Sequence, residues 1–204
     1  MTQHYFDKAY AARDAEVIRS LYDEWASSYD DDIKAQGYAT PERAAATLAE
    51  FLHDKDAPIF DIGCGTGLSG AALKQLGFTT IDGGDVSAAM LAVAHKKNIY
   101  RKLLELEVDA PLPFAPGAYA AITAIGVIGP GAAPISLFDT LMHSLGKRGK
   151  LLFSLNEKAL ADRGALGMIH EWTDCGAAIL LHAEEGAHLP GIDLKSTVYL
   201  IEKN

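Results

Sequence analysis

Cysteine is nearly absent: Cys64 and Cys175 are the only two in 204 residues. Two cysteines make no disulfide framework, which fits a reducing, cytoplasmic setting. Positive charge is scarce as well. Lys and Arg number 18 against 27 Asp and Glu, for a formal net charge of -9, and no basic cluster exceeds a pair. Such a surface repels phosphate backbones, so the expectation is that nucleic acid is not a partner. Long apolar runs are missing too. Residues 115–138 carry no charge, but Pro116, Pro130, Pro134 and the Gly129-Pro130-Gly131 turn break them well short of a span, so no membrane partner is expected. Residues 1–8 are polar and lack the apolar core of a secretory signal. No internal repeat or linker marks a second domain, and no metal site is read.

What is present suits one globular domain. A hydrophobic share of 49 % and a mean hydropathy of +0.06 are ordinary for a folded chain of this length. The expectation is a single domain over 1–204: a helical N-terminal cap (1–55), a ligand-binding core (56–156), and a helix with a closing hairpin (157–204).

The chain is organised around residues 58–70. Ile59, Phe60 and Ile62 form an apolar run without polar alternation, which reads as a buried parallel strand. Asp61 lies within it, and Gly63, Gly65 and Gly67 follow at every second position. Leu68, Ala71, Ala72 and Leu76 then have helical spacing. Strand, glycine loop and helix together make a cradle in which amide N–H groups and a helix N-terminus face a ligand. Two registers compete: Gly65, Gly67 and Gly70 fit the dinucleotide pattern G-x-G-x-x-G, whereas Asp61, Gly63, Gly65 and Gly67 fit D-x-G-x-G-x-G. An acid at Asp61 suits a ligand with an ammonium group and no pyrophosphate.

Before this loop, Val17, Ile18, Leu21, Tyr22, Trp25 and Tyr29 make a helical stripe. The first three read as core and the aromatic set as core or pocket wall. Asp30-Asp31-Asp32 reads as a solvated loop. Thr40-Pro41 reads as the capped start of a second helix. After the loop, a strand over 78–84 ends at Asp85, and Ser87 caps a helix with Met90, Leu91 and Ala94. Leu104, Leu106 and Val108 alternate as a third strand ending at Asp109-Ala110. Residues 119–127 form a fourth, central strand, followed by a helix over 136–145 and a fifth strand over 150–155. A helix over 157–173 precedes strands over 177–182 and 194–201, joined by a turn-rich 185–193 as an antiparallel hairpin.

Asp61 to Gly67, Asp85 and Asp109 together resemble the class I S-adenosylmethionine-dependent methyltransferases. Residues 22–30 with Gly37-Tyr38, residues 84–91, and Asp109-Ala110 followed by Leu112-Pro113-Phe114 extend the likeness to small bacterial methyltransferases and the Williams–Beuren-region methyltransferase-like proteins. The resemblance implies a Rossmann-like α/β fold with a seven-stranded, mostly parallel sheet, helices on both faces and a reversed final hairpin. It implies S-adenosyl-L-methionine as cofactor. The loop residues Gly63, Cys64, Gly65 and Gly67, with Asp61, would face its methionyl part. Asp85 would take the ribose hydroxyls, beside Val86 and Met90. Asp109 and the Ala110 amide would read the adenine edge, and the Gly126 carbonyl would meet the methionyl ammonium. Tyr29 and Arg43 would hold the methionyl end from the N-terminal helices. The chain departs from relatives at Ala120, at Lys147-Arg148-Gly149, and at Ala132, near the expected substrate mouth.

Methyl transfer from a sulfonium is an in-line displacement that needs near-attack positioning and exclusion of water more than a dedicated acid or base. Tyr38, Asn156 and His170 are candidate substrate contacts, with His143 a further candidate base, and no catalytic residue is assigned. The expected activity is methylation of a small-molecule acceptor. The alternatives are a nicotinamide-dependent oxidoreductase, NAD(P)-dependent through Gly65, Gly67 and Gly70, and a cofactor-binding module without turnover.

Overall fold

The computed structural model describes Tyr5, Lys8, Ala12 and residues 14–204, without the side chain of Arg163. The reading of residues 1–8 as free of a secretory signal falls, apart from Tyr5 and Lys8, outside the described residues. Helices α1 (Ala15–Trp25), α2 (Tyr29–Ala35) and α3 (Thr40–Phe51) precede β1 (Ile59–Ile62). Then come α4 (Leu68–Gln75), β2 (Ile81–Asp85), α5 (Ala88–Lys96), β3 (Lys102–Glu105) and β4 (Ala121–Ala124). The chain continues through α6 (Leu137–Ser144), β5 (Lys150–Asn156), α7 (Glu157–Leu160), α8 (Arg163–Asp174), β6 (Ala178–Leu189) and β7 (Leu194–Lys203).

The seven strands form one sheet in the order β3-β2-β1-β4-β5-β7-β6. The first five are parallel, and β7 runs antiparallel to both β5 and β6. The expected fold class is therefore observed. Alternate residues of each central strand supply opposite faces, as the pleat requires. Phe60, Ile122, Leu151 and Phe153 pack into one core, and Ile59, Ala121 and Leu152 into the other. Both faces are covered, so β1 and β4 are buried along their whole length, and apolar runs without alternation are the result.

Between β1 and β4 the strand order reverses. The chain winds outward through β2 and β3, then returns to lay β4 on the other side of β1. In open α/β sheets the crevice beyond the strand C-termini at such a switch point receives the ligand. Here it lies between the glycine loop after β1 and residues 125–127 after β4.

Local boundaries depart from the sequence reading where tertiary contacts compete. Val17 is exposed. Asp30 to Asp32 lie in the first turn of α2, not in a loop. Asp32 accepts Trp25 Nε1–H at 2.8 Å, and Asp30 accepts the Thr66 hydroxyl and pairs with Lys97, both at 2.5 Å. Thr40 does not cap α3, because its hydroxyl is engaged by His188 and Ser196. The third strand stops at Glu105, leaving 107–112 as a loop. The fourth is confined to Ala121–Ala124. The 157–173 helix breaks at Ala161–Asp162, where Asp162 caps α8 through Gly164 N–H. The segment 185–189 continues β6. Among the described residues no helix is long and apolar enough to cross a membrane.

Candidate active site

The glycine loop is shaped by two constraints that no other residue meets. Gly63 has φ +62°, and a Cβ there would stand 2.5 Å from Val127 Cγ2. Beneath the loop, Asp61 is fully buried and accepts three hydroxyls: Ser69 at 2.6 Å, Thr123 at 2.6 Å and Tyr100 at 2.7 Å. Burial pushes its carboxyl above the usual carboxylate range, and the hydroxyls from Ser69, Thr123 and Tyr100 pull it back. With its acceptor positions committed below the loop, Asp61 does not face a ligand, contrary to the expectation that it meets an ammonium group. It pins β1, β4 and α4 together instead.

Tyr100 also accounts for Gly70. A Cβ there would collide with the Tyr100 ring, so Gly70 is the seat of a tyrosine that reaches Asp61.

Above the loop is a cavity of about 400 Å³, within the range of small-ligand sites. Of the residues singled out for cofactor binding, Tyr29, Gly63, Cys64, Gly65, Asp85, Val86, Met90, Asp109, Ala110 and Gly126 line it, joined by the candidate substrate contact Tyr38. Gly67 begins α4 but lies behind the wall. Asp85 accepts Gly65 N–H at 2.8 Å and Ser87 N–H at 2.9 Å, so one carboxylate holds the loop and the residue that caps α5. Burial raises its pKa, offset by the Ser87, Gly65 and Val86 amides. Burial, reinforced by the charges of Asp61 and Asp85, keeps the Cys64 thiol neutral, so it is no nucleophile. Burial likewise holds the Tyr29 phenol far above its ordinary value, with Tyr38, Tyr22, Asp85 and Asp30 adding to the shift. Asp109 adopts φ +62°, and the Ala110 amide closes the same turn onto Glu107 O at 3.3 Å.

The other candidates lie elsewhere. Arg43 points away from the cavity and clamps the hairpin, donating to Glu184 O (2.8 Å), Ala187 O (3.0 Å) and Ser196 O (3.1 Å). His170 is exposed on α8 and outside the cavity. His143 is exposed too, its Nδ1 2.7 Å from Asp139 O and its ring against Trp172. Asn156 caps α7 through Ala159 N–H at 3.0 Å and lines a smaller neighbouring chamber. His188, unmarked by any motif, lines that chamber as well, as does Trp25.

The residues present fit S-adenosylmethionine. The direction in which a Gly65 Cβ would point is empty for 4 Å, Asp85 brings a carboxylate to the cavity wall, and Val86, Met90, Leu106 and Leu112 make an apolar slot beside Asp109. Fold and site together are those of a class I S-adenosylmethionine-dependent methyltransferase domain.

Comparison with known proteins agrees. The methyltransferase domain family matches residues 36–195, and the chain belongs to it. It is 33 % identical over 124 residues to Methyltransferase-like protein 27 of Homo sapiens, covering 59 % of this chain and 51 % of that one. It is 32 % identical over 105 residues to the 18S rRNA (guanine(1575)-N(7))-methyltransferase of Saccharomyces cerevisiae, covering 46 % and 38 %. The chain thus spans about half the length of these relatives, or less. Among solved structures, magnesium protoporphyrin IX methyltransferase from Synechocystis PCC 6803 with bound SAM superimposes at a TM-score of 0.63, with 14 % identity over 99 % of this chain and 91 % of that one; this likeness speaks to the fold alone.

One expectation is corrected. The argument from net charge excluded nucleic acid as a partner, yet a relative at 32 % identity is an rRNA methyltransferase. Net charge sums the whole surface, whereas nucleic acid is held by a local patch, so a total of -9 does not decide the matter.

Proposed function

We propose that the protein transfers the methyl group of S-adenosyl-L-methionine to a small-molecule acceptor. The observation that carries this reading is the aromatic enclosure over the glycine loop. Tyr22, Tyr29 and Tyr38 descend from the N-terminal segment onto the cavity, and the cluster of Trp25, Ile33, Leu189 and Leu194 fastens that segment to the hairpin. Such a wall would keep water from the reacting groups and suits a compact acceptor. We also infer that 1–55, 56–156 and 157–204 act as one domain, with the first segment as cap.

Bound S-adenosylmethionine would supply a methyl group activated on a sulfonium. The protein's part is positional. Asp85 would accept the ribose hydroxyls, Val86, Met90 and Leu106 would flank the adenine with Asp109 at its edge, and the loop amides with Gly126 would hold the methionyl end. Orientation of this kind supplies about 7–11 kcal/mol of the barrier reduction. Isothermal calorimetry with S-adenosylhomocysteine, followed by a methyl-acceptor screen read by homocysteine-product release, tests the proposal. No binding would refute it, and binding without turnover on any acceptor would leave a cofactor-binding module.

A second reading, methylation of guanine N7 in RNA, is favoured by the yeast relative. Incorporation of labelled methyl into ribosomal RNA but into no small acceptor would establish it instead.

A further inference from the structure

We propose that the small chamber beside the main cavity recognises the methyl acceptor by an oxygen, a carboxylate or carbonyl, held between His188 Nε2–H and the side-chain NH2 of Asn156. This rests on the methyl-transfer reading above and specifies the chemistry of its substrate.

The chamber measures about 60 Å³, about two water volumes. That suits a carboxylate-sized group, with the rest of the acceptor extending toward the main cavity. Tyr22, Tyr29, Tyr38, Gly126 and Ala132 line both this chamber and the main cavity, so a group anchored in one is a side chain's width from the other. Among the described residues no Asp, Glu, Lys or Arg lines it.

Besides the hydroxyls of Tyr22, Tyr29 and Tyr38, its polar side chains are Trp25, Asn156 and His188, and the last two are fixed as donors by what lies behind them. Asn156 must turn its carbonyl oxygen to Ala159 N–H, which leaves its NH2 for the chamber. His188 is 6 % exposed, and its Nδ1 lies 2.8 Å from Thr40 Oγ1. Thr40 Oγ1 lies 2.9 Å from Ser196 Oγ, which receives Arg43 Nη1 at 3.3 Å. Arginine can only donate, and it shares Nη1 with Ala187 O and Ser196 O, so the direction of the chain is set by where the Ser196 hydroxyl hydrogen goes. If Thr40 donated to Ser196, the hydroxyl hydrogen of Ser196, a residue 1 % exposed, would have no acceptor among the described residues. If Ser196 donates to Thr40, Thr40 donates to Nδ1 and every hydrogen is used. Nδ1 is then an acceptor, and the proton of the neutral ring sits on Nε2. Burial first, then Arg43, pushes the His188 pKa down to about 4, so the ring is neutral near pH 7 and cannot serve as a base through Nδ1. A guanidinium at the head of the chain polarises each bond toward the chamber, which strengthens Nε2–H as a donor to an oxygen carrying negative charge. Two such donors, with no carboxylate beside them among the described residues, favour an oxygen acceptor over an ammonium group.

The test uses the whole protein saturated with S-adenosylhomocysteine and titrated calorimetrically with benzoate and with benzylamine, its cationic counterpart. Benzoate should bind and benzylamine should not. Asn156→Asp keeps the α7 cap but turns the NH2 donor into an anion. It should weaken benzoate by at least about tenfold and change S-adenosylhomocysteine affinity by less than about twofold. In parallel, nitrogen NMR of the His188 ring should show the proton on Nε2, a readout that a purely structural histidine need not satisfy. Benzylamine binding as well as benzoate, benzoate unaffected by Asn156→Asp, no benzoate binding to the loaded wild type, or a proton on Nδ1 would each overturn the proposal. Failure to bind S-adenosylhomocysteine would refute the methyltransferase reading itself and is scored separately.

Discussion

The two walls of the cavity are built on different principles. On the glycine-loop side, the groups that hold shape lie close in sequence or on adjacent strands: Asp61 with Ser69, Gly65 with Asp85, Ser87 with Met90. The buried carboxylates Asp61 and Asp85 there are held in place by hydroxyls or amides, and the surface offered to a ligand is mostly backbone. On the opposite side, the wall is aromatic and is held across the chain. Trp25 packs with Leu189, and Thr40 reaches His188, 148 positions away. The first wall tolerates little variation because backbone geometry is unforgiving. The second can change side chains without touching the sheet. A fixed cofactor face opposite an adjustable acceptor face allows one fold to serve many acceptors.

If that contrast holds, changes on one wall should leave the other's function intact. The largest effect is expected at Gly63→Val, where a β-branched side chain meets both a positive φ and Val127; denaturant unfolding should show a loss of about 4 kcal/mol or more. Comparable retention of stability would show the loop to be softer than described.

His188 provides the matching experiment on the aromatic wall. Its pKa falls from 6.5 unfolded to about 4 folded. Below pH 6.5 the unfolded chain takes up a proton that the folded protein refuses, so this residue's contribution is fully present above 6.5 and is lost as pH falls toward 4. Relative to His188→Gln, wild type should lose up to about 3 kcal/mol over that interval, at roughly 1.4 kcal/mol per pH unit. Parallel stability profiles for the two proteins would show the ring to be solvated.

Asp85→Asn replaces an acceptor facing Gly65 N–H with a group that cannot satisfy both amides. S-adenosylhomocysteine affinity should fall about 100-fold, near 2.7 kcal/mol, with little change in acceptor selectivity. Calorimetry beside a competition assay would check both halves. The smallest effect is expected from Tyr22→Phe, which removes the long 3.4 Å bond to Gly131 O. Stability should move by less than about 1 kcal/mol and cofactor affinity not at all, while acceptor preference changes. A loss of cofactor affinity there would abolish the distinction between the walls.

The loop, the acid after β2, the capping Ser87, the parallel strands and the reversed hairpin were all legible from spacing, because each is a relation between near neighbours whose geometry follows from residue type. Asp61 was read toward the ligand because an acid near a glycine loop carries no sign of direction, and Arg43 because the family resemblance implied it. Only the packed sheet shows that three hydroxyls and three hairpin carbonyls claim them first.

Sequence alone determined the strand–loop–helix cradle, the order of acids along it and the class of fold, since periodicity and backbone constraint act within a few residues. Tertiary structure alone decided what faces the cavity, why Gly70 is glycine, and that Arg43, Ser196, Thr40 and His188 form one line of hydrogen bonds. These contacts join elements far apart in the chain, and their geometry exists only once the hairpin has closed against α3.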